Sequence, residues 1–309
     1  GWFAGAAPVP SAGTRCGYVS ANSGTGWTYS QFSTWTHIYR DVTIPANESR
    51  VTIAFKWKAA GEGTTTTDWD NMKVYWGLSS LVGTPTTTAT VSSTYQVSGA
   101  GATSGMYKLS SAAWNSESIT VSGLPGQTYR LVFSWKSDVS TIANPPAALD
   151  EINVTSAAPL TYYWVGASGG TWSAAANWNT NPAGGGATRA TPLASDILII
   201  DGAGTTAGVA TSISVDVASF TVGQLKVTSN TACTLASSVT TQRVITIAGA
   251  TGDDFVVEAG SSLLLTNTTN PISIVFISTA TGNTGNIAGT LTVAGTSATA
   301  TAEIGRAHV

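Results

Sequence analysis

The chain has 309 residues, is 42% apolar and only 9% charged, and carries a formal net charge of −3. Residues 1–158 hold nine basic and nine acidic side chains and the remainder four and seven. Neither part therefore offers the basic stripe that a phosphate backbone requires, and nucleic acid is excluded as a partner. No apolar run approaches the roughly 20 residues of a membrane-spanning helix, which excludes helical membrane insertion.

In chain order, Trp2–Gly5 and Cys16–Ala21 read as short strands divided by a Pro/Gly/Ser turn region. His37–Ile44 and Arg50–Lys58 follow, joined by a turn at Pro45-Ala46-Asn47. In the second of these, Val51, Ile53, Phe55 and Trp57 alternate with Thr52, Ala54, Lys56 and Lys58, the period of a half-buried strand. The pattern recurs at Asn71–Trp76, with Met72, Val74 and Trp76 inward, and at Tyr129–Lys136, with Leu131, Phe133 and Trp135 inward. Short strands between turn clusters, without a sustained helical period, predict an all-β fold whose first part is a β-sandwich.

The texture changes between Pro145 and Trp178. All nine tyrosines lie at or before Tyr163 and all eleven tryptophans at or before Trp178, so two differently built cores are expected. The expected boundaries are a first domain over 1–157, a linker over 158–161 and a second domain over 162–302. In the second domain strand-like runs stand at 197–200, 212–217, 224–227, 244–247, 255–258, 263–265, 272–277 and 291–293. Leu225, Ile245 and Leu264 are about twenty residues apart, near the length of one solenoid coil. An incomplete right-handed parallel β-helix is the expectation. Cys16 and Cys233 fall in different domains and form no disulfide framework; both are expected to be buried free thiols.

Residues 1–157 resemble a jelly-roll module of large secreted and surface proteins of the Bacteroidetes. The resemblance rests on Cys16-Gly17-Tyr18-Val19-Ser20, Tyr39-Arg40-Asp41-Val42-Thr43-Ile44-Pro45-Ala46, Phe55-Lys56-Trp57-Lys58 and Gly61-Glu62. It continues through Asp68-Trp69-Asp70-Asn71-Met72-Lys73-Val74-Tyr75, Tyr129–Asp138 and Pro145–Ile152. Residues 162–302 resemble the β-helical passenger segments of similar proteins, opening on Trp164-Val165-Gly166, Gly170-Thr171-Trp172 and Asn177-Trp178. The resemblance implies an extracellular or cell-surface location and an adhesive role. Gly1 is not a start methionine, so sequence is expected upstream. Glu303–Val309 back-translates to a string resembling a widely used sequencing adapter, so these residues are expected to be read-through, with the natural sequence ending near Ala302.

Few residues carry catalytic chemistry. With His308 inside the adapter-like tail, His37 is the one histidine, and it lies in an aromatic strand as a structural residue. No Ser–His–acid or Cys–His signature and no zinc ligand cluster accompanies it. Gly252-Asp253-Asp254 matches one short polygalacturonase motif, but that family's Gly-His-Gly and Arg-Ile-Lys motifs are missing, so a solvated turn is the expectation. Glu62, Asp68, Asp70, Asp150 and Glu151 are candidate calcium ligands if the first and last thirds of the sandwich meet; the competing reading is a solvated turn. Trp57, Trp76 and Trp135 share the core face, whereas Trp27, Trp35, Trp69 and Trp114 stand among Thr, Ser and Asn. An exposed indole beside hydroxyls and amides suits stacking on a sugar, although loop-anchoring aromatics look the same in sequence. The resulting expectation is a non-enzymatic structural or adhesive module whose partner is a polysaccharide, a surface glycan or a protein of a host or neighbouring cell. The alternative is the accessory part of a carbohydrate-active enzyme whose catalytic module lies outside this chain.

Overall fold

The structure, a computed structural model, describes residues 1–30, 33–86, 89–202, 211–237, 241–249, 252–267, 272–276, 284–295 and 304–305. Strand makes up 48% of it and helix 4%, so the fold is all-β. The chain divides into two compact units, one of Gly1–Ala46 and Val51–Ala157, the other of Asn47–Arg50 and Ala158–Val309.

Among the described residues nine strands build the first unit: β1 (Trp2–Gly5), β2 (Cys16–Val19), β3 (Thr34–Thr43), β4 (Arg50–Ala59), β5 (Asn71–Leu78), β6 (Gln96–Val97), β7 (Ser110–Ser122), β8 (Thr128–Ser137) and β9 (Ala148–Ala157). They form one sheet in the order β1-β2-β9-β4-β7 and another in the order β3-β8-β5-β6. The period-two pattern decides which faces meet. Val51, Ile53, Phe55 and Trp57 of β4 are buried against Met72, Val74 and Trp76 of β5 and Leu131, Phe133 and Trp135 of β8. Edge-to-face rings fill the middle, with Phe55 5.0 Å from Phe133 and Trp57 5.2 Å from Tyr107, the geometry that aromatic quadrupoles favour. The long β7 was not anticipated, because Ser110–Ser122 is polar along most of its length and buries only Glu117 and Ile119 fully.

The second sheet is also covered on its outer face. A four-residue helix, α1 (Ser79–Val82), and the chain after it lay Val82, Val91 and Tyr95 over Tyr75 and Val132. His37 ties this cover down: its Nε2 lies 3.1 Å from the Thr86 carbonyl and 3.2 Å from that of Ala89. Two carbonyl acceptors require a protonated Nε2, hence the neutral Nε2–H tautomer or the cation.

The second unit is made of parallel ladders. Its strands are β10 (Thr161–Trp164), β11 (Gly170–Thr171), β12 (Trp178–Asn179), β13 (Ile197–Ile200), β14 (Thr211–Ser214), β15 (Ser219–Val222), β16 (Gln224–Val227), β17 (Ala232–Ser237), β18 (Val244–Ile247), β19 (Phe255–Val257), β20 (Ser262–Asn267), β21 (Ser273–Phe276), β22 (Gly285–Ile287), β23 (Thr290–Gly295) and β24 (Ile304–Gly305). Among the described residues three sheets run β12-β10-β13-β16-β19-β22, β11-β14-β17-β20-β23 and β15-β18-β21-β24. The β10–β12 pair is antiparallel and, among the described residues, the other pairs of these sheets are parallel.

Register corrects the expected repeat. Leu225 pairs with Phe255, Cys233 with Leu263 and Ile245 with Ile274, so these rungs are 29 or 30 residues apart rather than twenty. Leu225, Ile245 and Leu264 belong to three different sheets, and their spacing measures the step from one sheet to another. The short strands β15 and β17 escaped notice because Ser, Thr and Ala dilute their apolar residues, yet β17 alternates strictly between half-buried and buried positions. Of the tail, the backbone of Ile304 pairs with Ile274. Residues 301–303 and 306–309, and with them the junction expected near Ala302, lie outside the described residues.

Trp164, Trp172 and Trp178 open this unit as an edge-to-face cluster with centroids 5.1 and 4.9 Å apart, and the Trp178 indole donates to the Trp172 carbonyl at 2.9 Å. Beside β13, Arg189 Nε meets Asp196 Oδ2 at 2.7 Å with both side chains buried. Among the described residues no helix is long and apolar enough to cross a membrane.

The half-buried imidazole has a measurable consequence. Burial lowers the His37 pKa below its ordinary 6.5, although the two carbonyls favour the charged form. As pH falls, the unfolded chain therefore takes up the proton first, so stability present above about 6.5 declines below it. His37→Gln should flatten the dependence of melting temperature on pH between 7 and 5; an unchanged slope would show that another group sets it.

Candidate functional site

The loop between β4 and β5 carries most of the sequence candidates. It is closed at its base, where the Glu62 amide donates to the Asp70 carbonyl at 3.0 Å. Gly61 and Gly63 have φ of +64° and +79°, a region costly for other residues. A Cβ on Gly61 would lie 2.6 Å from the Asp70 carbonyl oxygen, and one on Gly63 would lie 2.6 Å from Trp69 Cε3. Lys108 staples the loop from below: its buried ammonium donates to the Glu62 carbonyl at 2.7 Å and to the Thr67 carbonyl, and meets Thr67 Oγ1 at 3.3 Å.

Glu62 and Asp70 converge at this base together with Asp138, which follows the end of β8. One oxygen from each lies within 4.8 Å of the other two. Asp70 is fully buried; its carboxylate accepts the Tyr29 hydroxyl and the Asp138 amide, the latter at 2.8 Å. Burial raises the Asp70 pKa, with the Asp138 and Glu62 charges adding to the rise, against the hydrogen bonds from Tyr29 and Asp138. Burial and the bond to Asp70 also push the Tyr29 phenol upward. The three carboxylates repel one another; hydrogen bonds from Tyr29 to Asp70 and from Ser140 to Asp138 offset part of this and hold the Asp138 carboxyl below its ordinary value, and a shared proton or a cation would offset more. An all-oxygen set of this kind suits a hard divalent ion such as calcium.

Of the other three expected calcium ligands, Asp68 and Asp150 have partners elsewhere. Asp68 faces Lys73 at 2.8 Å and Lys136 at 3.6 Å. Although its partial burial acts the other way, hydrogen bonds from Lys73 and Asn71 hold its carboxyl below the ordinary value. Asp150 accepts the amides of Ser11 and Ala12 at 2.7 and 3.1 Å, and Glu151 is exposed. Neither belongs to the cluster. Asp138 takes their place, and its signal in the sequence was only its position after the strand that pairs with β5.

The four indoles also separate. Trp27 donates to the Pro146 carbonyl at 2.9 Å and Trp114 to that of Val9 at 3.0 Å, and both pack on the small cluster of Cys16, Tyr18 and Ala148. They anchor loops. Trp35 lies under the Lys136 ammonium, 5.5 Å from its ring centroid. Trp69 is 46% exposed, its six-membered ring set against Gly63 and its neighbours Asp68 and Asp70 turned to other partners.

Elsewhere, Asp254 of the Gly252-Asp253-Asp254 run is fully buried, not solvated: it accepts the Gln224 amide at 3.2 Å and the Thr284 backbone amide at 2.9 Å. It caps rungs of the first parallel ladder. Cys16 and Cys233 are buried free thiols whose pKa values burial pushes up to about 11 and about 12. No family model matches the chain, and a search of curated proteins finds no match.

Calcium at a hundred times its Kd should add about 2.7 kcal/mol to the first unit's stability at pH 7. The gain should shrink in mild acid, because the raised Asp70 pKa means that a proton competes for the same oxygens. Asp138→Asn, a change at a half-buried position, should abolish the gain without unfolding the chain. A melting temperature indifferent to calcium, or an equal gain in the variant, would rule out a cation at this corner.

Proposed function

We propose that the chain is a non-catalytic extracellular module of a large secreted or cell-surface bacterial protein, structural and adhesive in role, and that its first unit binds glycan through Trp69. In this reading the first unit is a jelly-roll β-sandwich and the second an incomplete right-handed parallel β-helix. The sheet orders support the first assignment: without β1 they read β2-β9-β4-β7 and β3-β8-β5-β6, successive strands alternating between sheets except at β5 and β6, which pair within one. The parallel rungs, 22 to 30 residues apart from β13 onward, support the second.

The observation that carries the functional reading is the setting of Trp69. Its indole is half exposed on a loop that is closed by Glu62 and Asp70, stapled by Lys108 and unable to accept a Cβ beneath the ring. A pyranose stacks on such a surface when the ring is held rigid before binding. Hydroxyls of Thr64 and Thr66, both exposed, stand within the same loop and supply sugar-binding donors and acceptors. A cation joining Glu62 to Asp70 would stiffen the loop further, which links the acidic corner to the indole.

Trp69→Ala should weaken glycan binding about thirtyfold, the cost of a stacking hot spot near 2 kcal/mol. It should leave most of the folding stability intact. Trp57→Ala is the contrasting control: this indole is 3% exposed among the core rings, and its loss should cost about 3–5 kcal/mol of stability. A glycan array on which the unaltered protein binds nothing, with or without calcium, would end the glycan reading.

A further inference from the structure

The sandwich is open along one edge. Strand β3 ends its sheet, and its ten residues pair with β8 on one side only. Near its start the Trp2 indole donates to the Thr36 carbonyl at 3.1 Å and covers the edge there. From Ile38 to Val42, no backbone group has a hydrogen-bond partner on the free side among the described residues.

Across from this edge lies β9 of the other sheet. Strand β9 pairs with β2 only through Ala148 and Leu149. Glu151 then takes a φ of +48°, which breaks the alternation as a bulge does. Ile152 and Val154 consequently face a groove of about 680 Å³ together with Ile38, Arg40, Val42, Leu131 and Phe133. Two large apolar side chains of this lining are left exposed, Ile38 at 36% and Ile152 at 45%. Arg40, in the same row as Ile38 and Val42, has no ion-pair or hydrogen-bond partner among the described residues.

We propose that this edge accepts an extended peptide strand of a partner protein, added to β3 and carrying the pattern apolar–any–acidic–any–apolar. The free ladder of β3 offers main-chain hydrogen bonds, as in other cases of strand addition. Residues two apart share a face, so the three patterned side chains of an added strand stand opposite Ile38, Arg40 and Val42. The outer two extend the apolar surface over Ile152 and Val154, and the carboxylate meets the unpaired guanidinium. A lipid acyl chain would use the apolar lining but leave the ladder of β3 unsatisfied, which is why the peptide is the better fit.

The test uses the whole chain and a blocked heptapeptide of alternating threonine and valine with glutamate at its centre, followed by fluorescence anisotropy. Saturable binding with a Kd below about 1 mM is expected. Glutamine in place of the glutamate should weaken it about tenfold. N-methylation of the amides on one edge of the peptide should abolish it. Arg40→Glu should lose the glutamate peptide and gain a lysine analogue, a swap that a fold defect does not produce. Absence of binding, equal binding of the N-methylated peptide, or no gain for the lysine analogue would overturn the proposal. Binding of laurate to the groove without binding of the peptide would overturn it in favour of an acyl ligand. Trp69→Ala should leave the peptide affinity unchanged, so failure of the glycan reading and failure of this one are separable.

Discussion

The aromatic layer between the two sheets of the first unit governs what surrounds it. Phe55, Trp57, Tyr107 and Phe133 meet edge to face at 5.0–5.5 Å, and Tyr29 meets Trp135 in the same way at 5.4 Å. These rings fix how β4, β5 and β8 lie relative to one another, and the candidate site hangs from the ends of those strands. Glu62 follows β4, Asp70 precedes β5 and Asp138 follows β8. Tyr29 joins the two levels, since its ring packs on Trp135 while its hydroxyl reaches Asp70. Core packing thus brings three carboxylates together at an electrostatic cost that neither loop alone would impose.

The second unit meets the same demand for paired backbone in another way. Each parallel rung passes a buried row to the next, as in Leu198–Leu225–Phe255 and Cys233–Leu263. Where the stack opens, the unit places its large indoles and the buried Arg189–Asp196 pair. Such a pair adds little net stability over an apolar substitute, but losing one partner strands the other charge and costs about 3–5 kcal/mol. Farther along the same sheet, Gln224 and Asp254 bond to each other inside the stack, so polar residues that read as loop composition serve as internal rungs.

Two open features of the first unit differ in kind. The Trp69 loop is polar and tightly closed, by main-chain bonds and by glycines that leave no room for a side chain. The β3 edge presents Ile38 and Val42 around Arg40 and, among the described residues, backbone groups unpaired on the free side, a condition that proteins usually remove with bulges, charges or a covering segment. Trp2 covers only its beginning. The glycan and strand-addition proposals therefore draw on separate chemistry.

The amino-acid sequence by itself determined the all-β class and much of the first core. Period-two alternation in β4, β5 and β8 is a local property, and it named Phe55, Trp57, Met72, Val74, Phe133 and Trp135 as inward residues, all of them buried. It also set Glu62, Asp70 and Trp69 apart as unusual. What it did not contain was pairing. Only register revealed that Leu225, Ile245 and Leu264 lie on three sheets, since parallel partners about thirty residues apart leave no local mark. Only the meeting of the β4, β5 and β8 ends brought Asp138 to Glu62 and Asp70, while Asp68, although nearer to Asp70 in sequence, turned to Lys73 and Lys136. Alternation along one strand tells which side a residue faces; what it faces is decided by strands far away in the chain.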